Sequence, residues 1–185
     1  MISPPFVNGW TAELDAVPAT DIDRAKALMA EAGYGDGFSI QLDCPNDRYI
    51  NDEAICQAVT GMLGKIGIKV TLDSKPKAQH FPLIKKKETD FYMLGWGVPT
   101  FDSAYIFNFL VHTREDAYGA YNGSRYSNPE VDAKIEALAT MTDLEARDAT
   151  IAEIWDQVME DRVFLNVHNQ LLAYAMRDGV SLPVH

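Results

Sequence analysis

The stretch NDEAICQAVTGMLGKIGIKVTL, residues 51–72, decides the fold class of this chain. Its first part has acids in the first turn, where a helix dipole favours negative charge, and an apolar face that stops at Gly67. That face comprises Ile55, Val59, Met62, Leu63 and Ile66. Ile68, Val70 and Leu72 then alternate with polar residues at the two-residue period of a half-buried strand. The stretch therefore predicts a helix followed directly by a strand.

Helices and strands continue to alternate on both sides of this stretch. Upstream, residues 21–33 have a helical apolar stripe and residues 38–42 alternate as a strand. Downstream, residues 78–87 have helical features, and residues 91–94 form a continuous apolar run of the kind found near the middle of a sheet. This succession predicts an α/β fold, with a mixed sheet flanked by helices and joined by right-handed crossovers.

The second half of the chain supplies further predicted helices and two strands. We expect a helix over residues 103–112, one capped by Asn128, and one that starts at the capping box Thr142-Asp143-Leu144-Glu145. Residues 163–167 and 171–176 are predicted strands.

The chain divides into a short lead-in and one domain. Residues 1–20 contain Pro4, Pro5 and Pro18 and no sustained periodicity, so we expect an extended connector there. Residues 21–185 are predicted to form a single α/β domain, a size that can bury a sizeable core.

The charge balance restricts the classes of partner. The formal net charge is −11, and a surface that negative repels phosphate backbones and anionic lipid headgroups, so nucleic acid is not expected as a partner. A cationic or zwitterionic ligand would suit that field. The sequence has no apolar run of about 18 residues, and its start lacks the pattern of a signal peptide, so neither a membrane span nor a leader is predicted.

The two cysteines, Cys44 and Cys56, leave two states open. They lack the companions of a zinc site, so no metal is predicted. Free cysteines are usually buried, where they pack as small apolar side chains. We therefore expect two unpaired thiols in preference to a disulfide.

The sequence lacks the parts that an enzyme would need. Gly123-Ser124-Arg125 does not complete a nucleophile elbow, and the glycines of the second predicted helix do not form a phosphate-binding loop. No two histidines have metal-binding helical spacing; they are His80, His112, His168 and His185. The run Lys85-Lys86-Lys87 is interpreted as a solvated helix end. We therefore predict neither an enzyme nor a cofactor.

A ligand site is predicted in GWGVPTFD, residues 95–102, which leaves the apolar run. Ligands of open α/β sheets bind at such strand exits. Trp96 between Gly95 and Gly97 offers a flat aromatic face. Asp102 is expected to pair with a cation or to cap the next helix. The alternative, with Trp96 in the core and Asp102 only an N-cap, remains open from the residues alone.

The order of these elements resembles the C-terminal lobe of the extracytoplasmic solute-binding proteins of the dipeptide, oligopeptide and nickel importers, family 5. The resemblance runs through most of the chain. Its parts are residues 23–34, the helix-strand junction Leu63-Gly64-Lys65-Ile66-Gly67-Ile68-Lys69-Val70, the segment Asp90-Phe91-Tyr92-Met93-Leu94-Gly95-Trp96, the segment Tyr126-Ser127-Asn128-Pro129-Glu130-Val131-Asp132, and residues 147–155.

The resemblance implies one lobe of a two-lobed fold of type II, in a periplasmic or extracytoplasmic protein that hands a small ligand to an ABC importer permease. This chain would then be a fragment that lacks its N-terminal lobe, is only peripheral to the membrane, and binds poorly alone. Tyr121 and Asn122 are further predicted ligand contacts, with ordinary loop packing as their alternative.

Peptide-binding members of the family carry an aspartate shortly after the tryptophan, and this aspartate receives the ligand's amino group. Pro99 stands at that position here, so the usual anchor is absent unless Asp102 replaces it. The resemblance therefore implies a small solute more firmly than a peptide.

Two other functions are alternatives to transport. One is the sensory domain of a regulator, which an upstream DNA-binding segment would distinguish. The other is a hydrolase that uses Asp102 with His112 or Glu115.

Overall fold

The computed structural model describes residues 1–171 and 173–181. The elements follow in the order α1 (Ile22–Glu31), β1 (Phe38–Pro45), α2 (Asp52–Gly64), β2 (Ile68–Lys75), α3 (Lys77–Lys86), α4 (Ser103–Ile106) with a continuing π-helical turn (Phe107–Val111), α5 (Pro129–Ala137) and α6 (Leu144–Glu160). The predicted α/β class is confirmed, and the helix and strand of the stretch 51–72 form as expected. Among the described residues, every helix is too short or too polar to span a lipid bilayer.

The sheet is smaller than the sequence predicts. β1 and β2 pair in parallel along their whole length, from Phe38 beside Ile68 to Pro45 beside Lys75. Tyr92 adds one parallel bridge to Asp43, on the other edge of β1. All strand pairings in the described part are parallel, so the antiparallel component of the predicted mixed sheet is not found there.

The apolar run 91–94 is a bridge at the sheet edge, so its prediction as a central strand was wrong. Its side chains are divided between two hydrophobic clusters: Phe91 and Met93 pack against the sheet, whereas Leu94 packs against the helices that follow. Because Leu94 packs on the helices, the segment leaves the sheet after a single bridge.

The helices and the sheet form two units with separate cores. We call residues 38–86 the sheet unit; its small cluster of buried apolar residues is Leu42, Cys44 and Cys56. We call residues 1–15 and 98–160 the helical unit; its larger cluster is Met1, Val7, Val98, Ile106, Phe107, Leu110, Val111, Val131, Ile135, Leu138, Ile151, Ile154, Trp155 and Val158.

Cys44 of β1 and Cys56 of α2 form a disulfide, so the expectation of two thiols was wrong. The strand and the helix that follows it hold the two Cα atoms 6.5 Å apart, which lies within the range of a disulfide. The sequence separation of 12 residues does not reveal this proximity, because it depends on how the loop between them folds back.

Trp155 joins the parts of the helical unit. Its indole N–H donates to Ser103 Oγ over 2.9 Å, and its ring centroid lies 4.8 Å from that of Phe107. Ser103 Oγ in turn donates to the carbonyl of Asn8. The N-terminal segment, predicted as an extended connector, thus lies against α4 and α6, with Val7 buried.

The end of the chain differs from its prediction. The predicted strand 163–167 has no strand pairing in the structure, and neither do the described residues of 171–176; Leu172 lies outside the described residues. Leu165 is 68% exposed and Val167 is 59% exposed, because no neighbouring strand in the described part of the chain covers them. α6 begins one residue later than the capping box predicts, since Asp143 is its N-cap and its carboxylate accepts from the N–H groups of Glu145 and Ala146.

Candidate functional site

An open pocket of about 330 Å³ lies between the sheet unit and the helical unit, where the chain leaves its bridge to β1. A pocket of this volume is at the lower end of the range for small-molecule sites. Its lining residues are Arg48, Tyr49, Phe81, Lys85, Leu94, Gly95, Trp96, Gly97, Tyr105 and Tyr121. The predicted residues Gly95, Trp96, Gly97 and Tyr121 therefore meet in one place.

Trp96 lies within an aromatic cluster at one side of this pocket. Its ring centroid is 5.2 Å from that of Tyr121 and 5.8 Å from those of Tyr105 and Phe109. These separations are typical of packed aromatic pairs, which hold one another rigidly. Trp96 is half-buried, so part of the indole contributes to the pocket lining while the rest packs on the helical core. The core alternative for Trp96 is thus partly realised, and its predicted contact with a ligand stays a prediction.

Gly95 packs closely against the loop that follows β1. The Tyr49 hydroxyl donates to the Gly95 carbonyl over 3.1 Å, and the Tyr49 ring lies over the glycine. A Cβ atom at residue 95 would come within 2.7 Å of Tyr49 Cε1, so no larger residue fits without displacing that ring. Gly97, in contrast, faces open space.

The charged side chains that line the pocket, Arg48 and Lys85, are both cationic. Arg48 lies 5.1 Å from the centroid of its neighbour Tyr49, and Lys85 Nζ lies 5.3 Å from that of Tyr121. Neither is among the ion pairs found within the described residues. The pocket is therefore complementary to an anion, in contrast to the cationic or zwitterionic ligand that the net charge suggested.

Asp102 lines a different, shallower pocket, together with Arg147 and without Trp96. Its carboxylate accepts from the N–H of Ala104, which confirms the predicted N-cap, and from the Arg147 guanidinium over 2.8 and 3.0 Å. Burial alone would raise the pKa of Asp102, but the hydrogen bonds from Arg147 and Ala104 outweigh it and lower the pKa. The cation beside Asp102 thus comes from the protein itself, and its predicted contact with a ligand stays a prediction.

Asn122 is buried and shapes its loop. Its amide donates to the carbonyls of His112 and Tyr126 over 2.9 and 2.8 Å, and its oxygen accepts from the Tyr126 N–H. These bonds correspond to the loop-packing alternative, while the predicted ligand contact of Asn122 stays a prediction. Its neighbour Tyr121 lines the pocket.

Several pocket residues carry no signal in the local sequence pattern, namely Arg48, Tyr49, Phe81, Lys85 and Tyr105. Arg48 and Tyr49 lie in the loop that follows β1, so the tendency of ligands to bind at strand exits, which points to residues 95–102, also points to this loop. The lysine run that contains Lys85 is typical of a solvated helix end, and the sequence alone does not show which face of α3 meets the pocket.

The described residues do not bring together the groups of the hydrolase hypothesis. Asp102 pairs with Arg147, whereas the ring of His112 contacts the Thr113 carbonyl and Glu136. In the same part of the chain, no cluster of three or more His, Cys, Asp or Glu side chains is arranged to hold a metal ion.

Comparison with known proteins identifies one family. The family model described as "Bacterial extracellular solute-binding proteins, family 5 Middle" matches residues 1–118. The glutathione-binding protein GsiB of Pectobacterium atrosepticum is 23% identical over 160 residues, which cover 84% of this chain and 31% of that protein. The chain thus spans about a third of the length of this relative.

Two solved structures share the fold. The dipeptide-binding protein of a Pseudoalteromonas species, in complex with Met-Leu, has a TM-score of 0.77 and 24% identity, covering 88% of this chain and 32% of that one. The binding protein AgaA of A. tumefaciens, in complex with agropinic acid, has a TM-score of 0.74 and 22% identity, covering 85% and 32%. This chain therefore has the fold of a portion of such binding proteins.

Proposed function

We propose that this chain forms one wall of a cleft that captures a small anionic solute for an ABC importer. The premise is that the chain belongs to the bacterial extracellular solute-binding proteins of family 5. The observation that carries the proposal is the pocket in which Trp96 and Tyr121 meet Arg48 and Lys85. Aromatic faces bind the body of a ligand, and unpaired cations bind an acidic group.

The ligands named for similar proteins fit this chemistry. Glutathione, Met-Leu and agropinic acid differ in structure, but each carries at least one carboxylate. Arginine recognises a carboxylate with two parallel N–H donors, and a lysine adds a second positive charge. A carboxylate-bearing solute is therefore the ligand class that we propose for this pocket.

The location and partners follow from the same proposal. The chain would act outside the cytoplasm, where the Cys44–Cys56 disulfide is stable. A second lobe would close over the open side of the pocket, and the closed protein would deliver the solute to a membrane permease. Residues 1–20, whose first part packs into the helical unit, would serve as the connector on the hinge side, and residues 21–185 would form the rest of the lobe.

A binding experiment on a two-lobed protein that contains this chain tests the proposal. Met-Leu and reduced glutathione are titrated by calorimetry, and each is compared with the form in which every carboxylate is amidated. Because a hydrogen bond to a charged group contributes about 1.5–3 kcal/mol, the free acid should bind about 10 to 100 times more tightly than the amide. If the amides bind as tightly as the acids, the anionic ligand class is wrong.

Trp96→Ala separates a ligand wall from a core residue. Loss of a central aromatic anchor should weaken binding by about 2 kcal/mol or more. Leu144→Ala provides the control, because that side chain is 73% exposed and lies outside the pocket. Unchanged affinity together with a lower melting temperature would show that Trp96 acts only through packing.

A further inference from the structure

The loop between β1 and α2 carries Arg48 and Tyr49 into the pocket, and one buried carboxylate holds it. Asp52 is 5% exposed. Its Oδ2 atom accepts from the N–H of Arg48 over 2.9 Å and from the N–H of Tyr49 over 3.0 Å. Its Oδ1 atom accepts from the N–H of Glu53 over 3.0 Å. The backbone on which the Arg48 side chain stands is therefore bonded to Asp52.

This arrangement differs from an ordinary helix start. The residue at the N-cap position of α2, Asn51, has a left-handed backbone with φ of 58° and makes no side-chain capping bond. Asp52 instead turns back towards the loop that precedes the helix. Burial alone would raise the pKa of Asp52, but the N–H groups of Tyr49, Arg48 and Glu53 outweigh it and lower the pKa, so the group is a carboxylate at neutral pH.

Other contacts fix the same loop on both sides. The Tyr49 hydroxyl bonds to Gly95 in the pocket wall, and Asp47 Oδ1 accepts from the N–H of Lys77 at the start of α3. The Cys44–Cys56 disulfide closes the chain around it. The Arg48 side chain, in contrast, is exposed. The loop thus has a fixed backbone and presents one cation to the pocket.

We propose that Asp52 is a positioning residue of the ligand site, which holds Arg48 at the pocket by binding the backbone of its loop. This inference rests on the proposed role of the pocket in binding an anion. Without its hydrogen bonds to Asp52, the loop could move, and Arg48 would move with it away from Trp96.

Quenching of Trp96 fluorescence measures where the cation lies without any ligand. Iodide is an anion that Arg48 and Lys85 attract, whereas acrylamide is neutral, so the ratio of their quenching constants reports the local positive charge. The experiment uses this chain with Trp10→Phe, at constant ionic strength; the remaining Trp155 is fully buried. Arg48→Gln should lower the iodide-to-acrylamide ratio by about twofold.

Asp52→Asn distinguishes positioning from simple charge. Positioning predicts that the ratio falls towards that of Arg48→Gln, because a neutral amide oxygen accepts the two loop N–H groups less strongly than a carboxylate, and its NH2 group would face the N–H of Glu53, which it cannot bond. Removal of a negative charge alone would raise the ratio, since iodide would be repelled less. Glu53→Gln is the matched control. It removes a negative charge only one residue along the chain, but the Glu53 side chain is exposed and accepts no hydrogen bond from a loop N–H. A ratio that rises or stays constant in Asp52→Asn overturns the proposal.

Hydrogen exchange on the unaltered chain provides a second measurement, which does not require the variant to fold. The amides of Arg48 and Tyr49 should exchange at least tenfold more slowly than that of Asp47, whose N–H has no acceptor among the described residues. Equal exchange rates would show that Asp52 does not hold the loop. Both measurements are independent of ligand binding, so they can fail while the proposed function stands, and the reverse also holds.

Discussion

The helical unit and the sheet unit are held together by different forces. The helical unit buries fourteen residues in one apolar cluster, whereas the cluster of the sheet unit contains only Leu42 and the two disulfide cysteines. Hydrophobic burial grows with the apolar area removed from water, so the helical unit can depend on it. The sheet unit needs other links, and the pocket lies against this less apolar unit.

Asp43 at the centre of the sheet shows what those other links are. It is 3% exposed, and its carboxylate accepts from Lys75 Nζ over 2.7 Å and from Thr89 Oγ1 over 2.6 Å. Burial alone would raise the pKa of Asp43, but the bonds from Lys75, Thr89 and Gln41 outweigh it and lower the pKa. The two paired strands are thus linked by a largely buried ion pair between Asp43 and Lys75, whereas the helical unit is held together by apolar contacts.

The largest effect is expected in the helical unit, from Trp155→Ala. This side chain is fully buried, and its removal leaves a cavity and the Ser103 hydroxyl without its indole donor. We expect a loss of about 4 kcal/mol in the free energy of unfolding, measured by urea denaturation. Leu144→Ala is the control and should change it by less than about 0.5 kcal/mol. A loss below about 1 kcal/mol would contradict a burial-dominated helical unit.

Loss of the disulfide should have the next largest effect, and it should fall on the sheet unit. The bridge closes a loop across 12 residues, for which loop-closure entropy gives about 3 kcal/mol. We expect the double variant Cys44→Ala, Cys56→Ala to speed amide exchange in β1 and α2 while α6 keeps its protection. Equal acceleration in α6 would show that the two units unfold together.

A smaller, pH-dependent effect is expected from the ion pair of Asp102 and Arg147. Their side chains are 27% and 17% exposed, so solvent screens the pair, and Arg147→Ala should cost about 1 kcal/mol at pH 7. Because the pKa of Asp102 is lowered in the folded state, this contribution is fully present above its ordinary value of 3.8 and is lost as the pH falls below it.

The difference between the parent and Arg147→Ala should therefore stay constant from pH 7 to about pH 5 and shrink below about pH 4. Urea unfolding at a series of pH values measures it. A difference that does not change between pH 5 and pH 3 would mean that the pair contributes through packing of the arginine stem.

The sequence predicted local structure well and long-range proximity poorly. The helix-strand junction at Gly67 and the N-cap at Asn128 depend on neighbouring residues, and both are present in the structure. The disulfide and the division of the run 91–94 between two clusters depend on residues far away in the chain, so periodicity could not show them.

The pocket follows the same rule. Gly95, Trp96 and Gly97 were found from a local signal, an apolar run that ends in glycines around a tryptophan. Arg48 and Lys85 come from other elements, and only the packing of β1 and α3 beside that run brings them to it. The sign of the local charge was therefore opposite to the sign of the whole chain.

The exposed apolar residues after α6 have a consequence for the chain in solution. Leu165, Val167 and Leu171 are each more than half exposed in a segment without helical structure or strand pairing, and an unpaired apolar segment of this kind can pair with that of another molecule. At low salt, the net charge of −11 makes two molecules repel one another and opposes this pairing. At about 1 M salt the screening length falls to about 3 Å, and the repulsion is lost. We therefore expect the chain to self-associate more at about 1 M salt than at low salt.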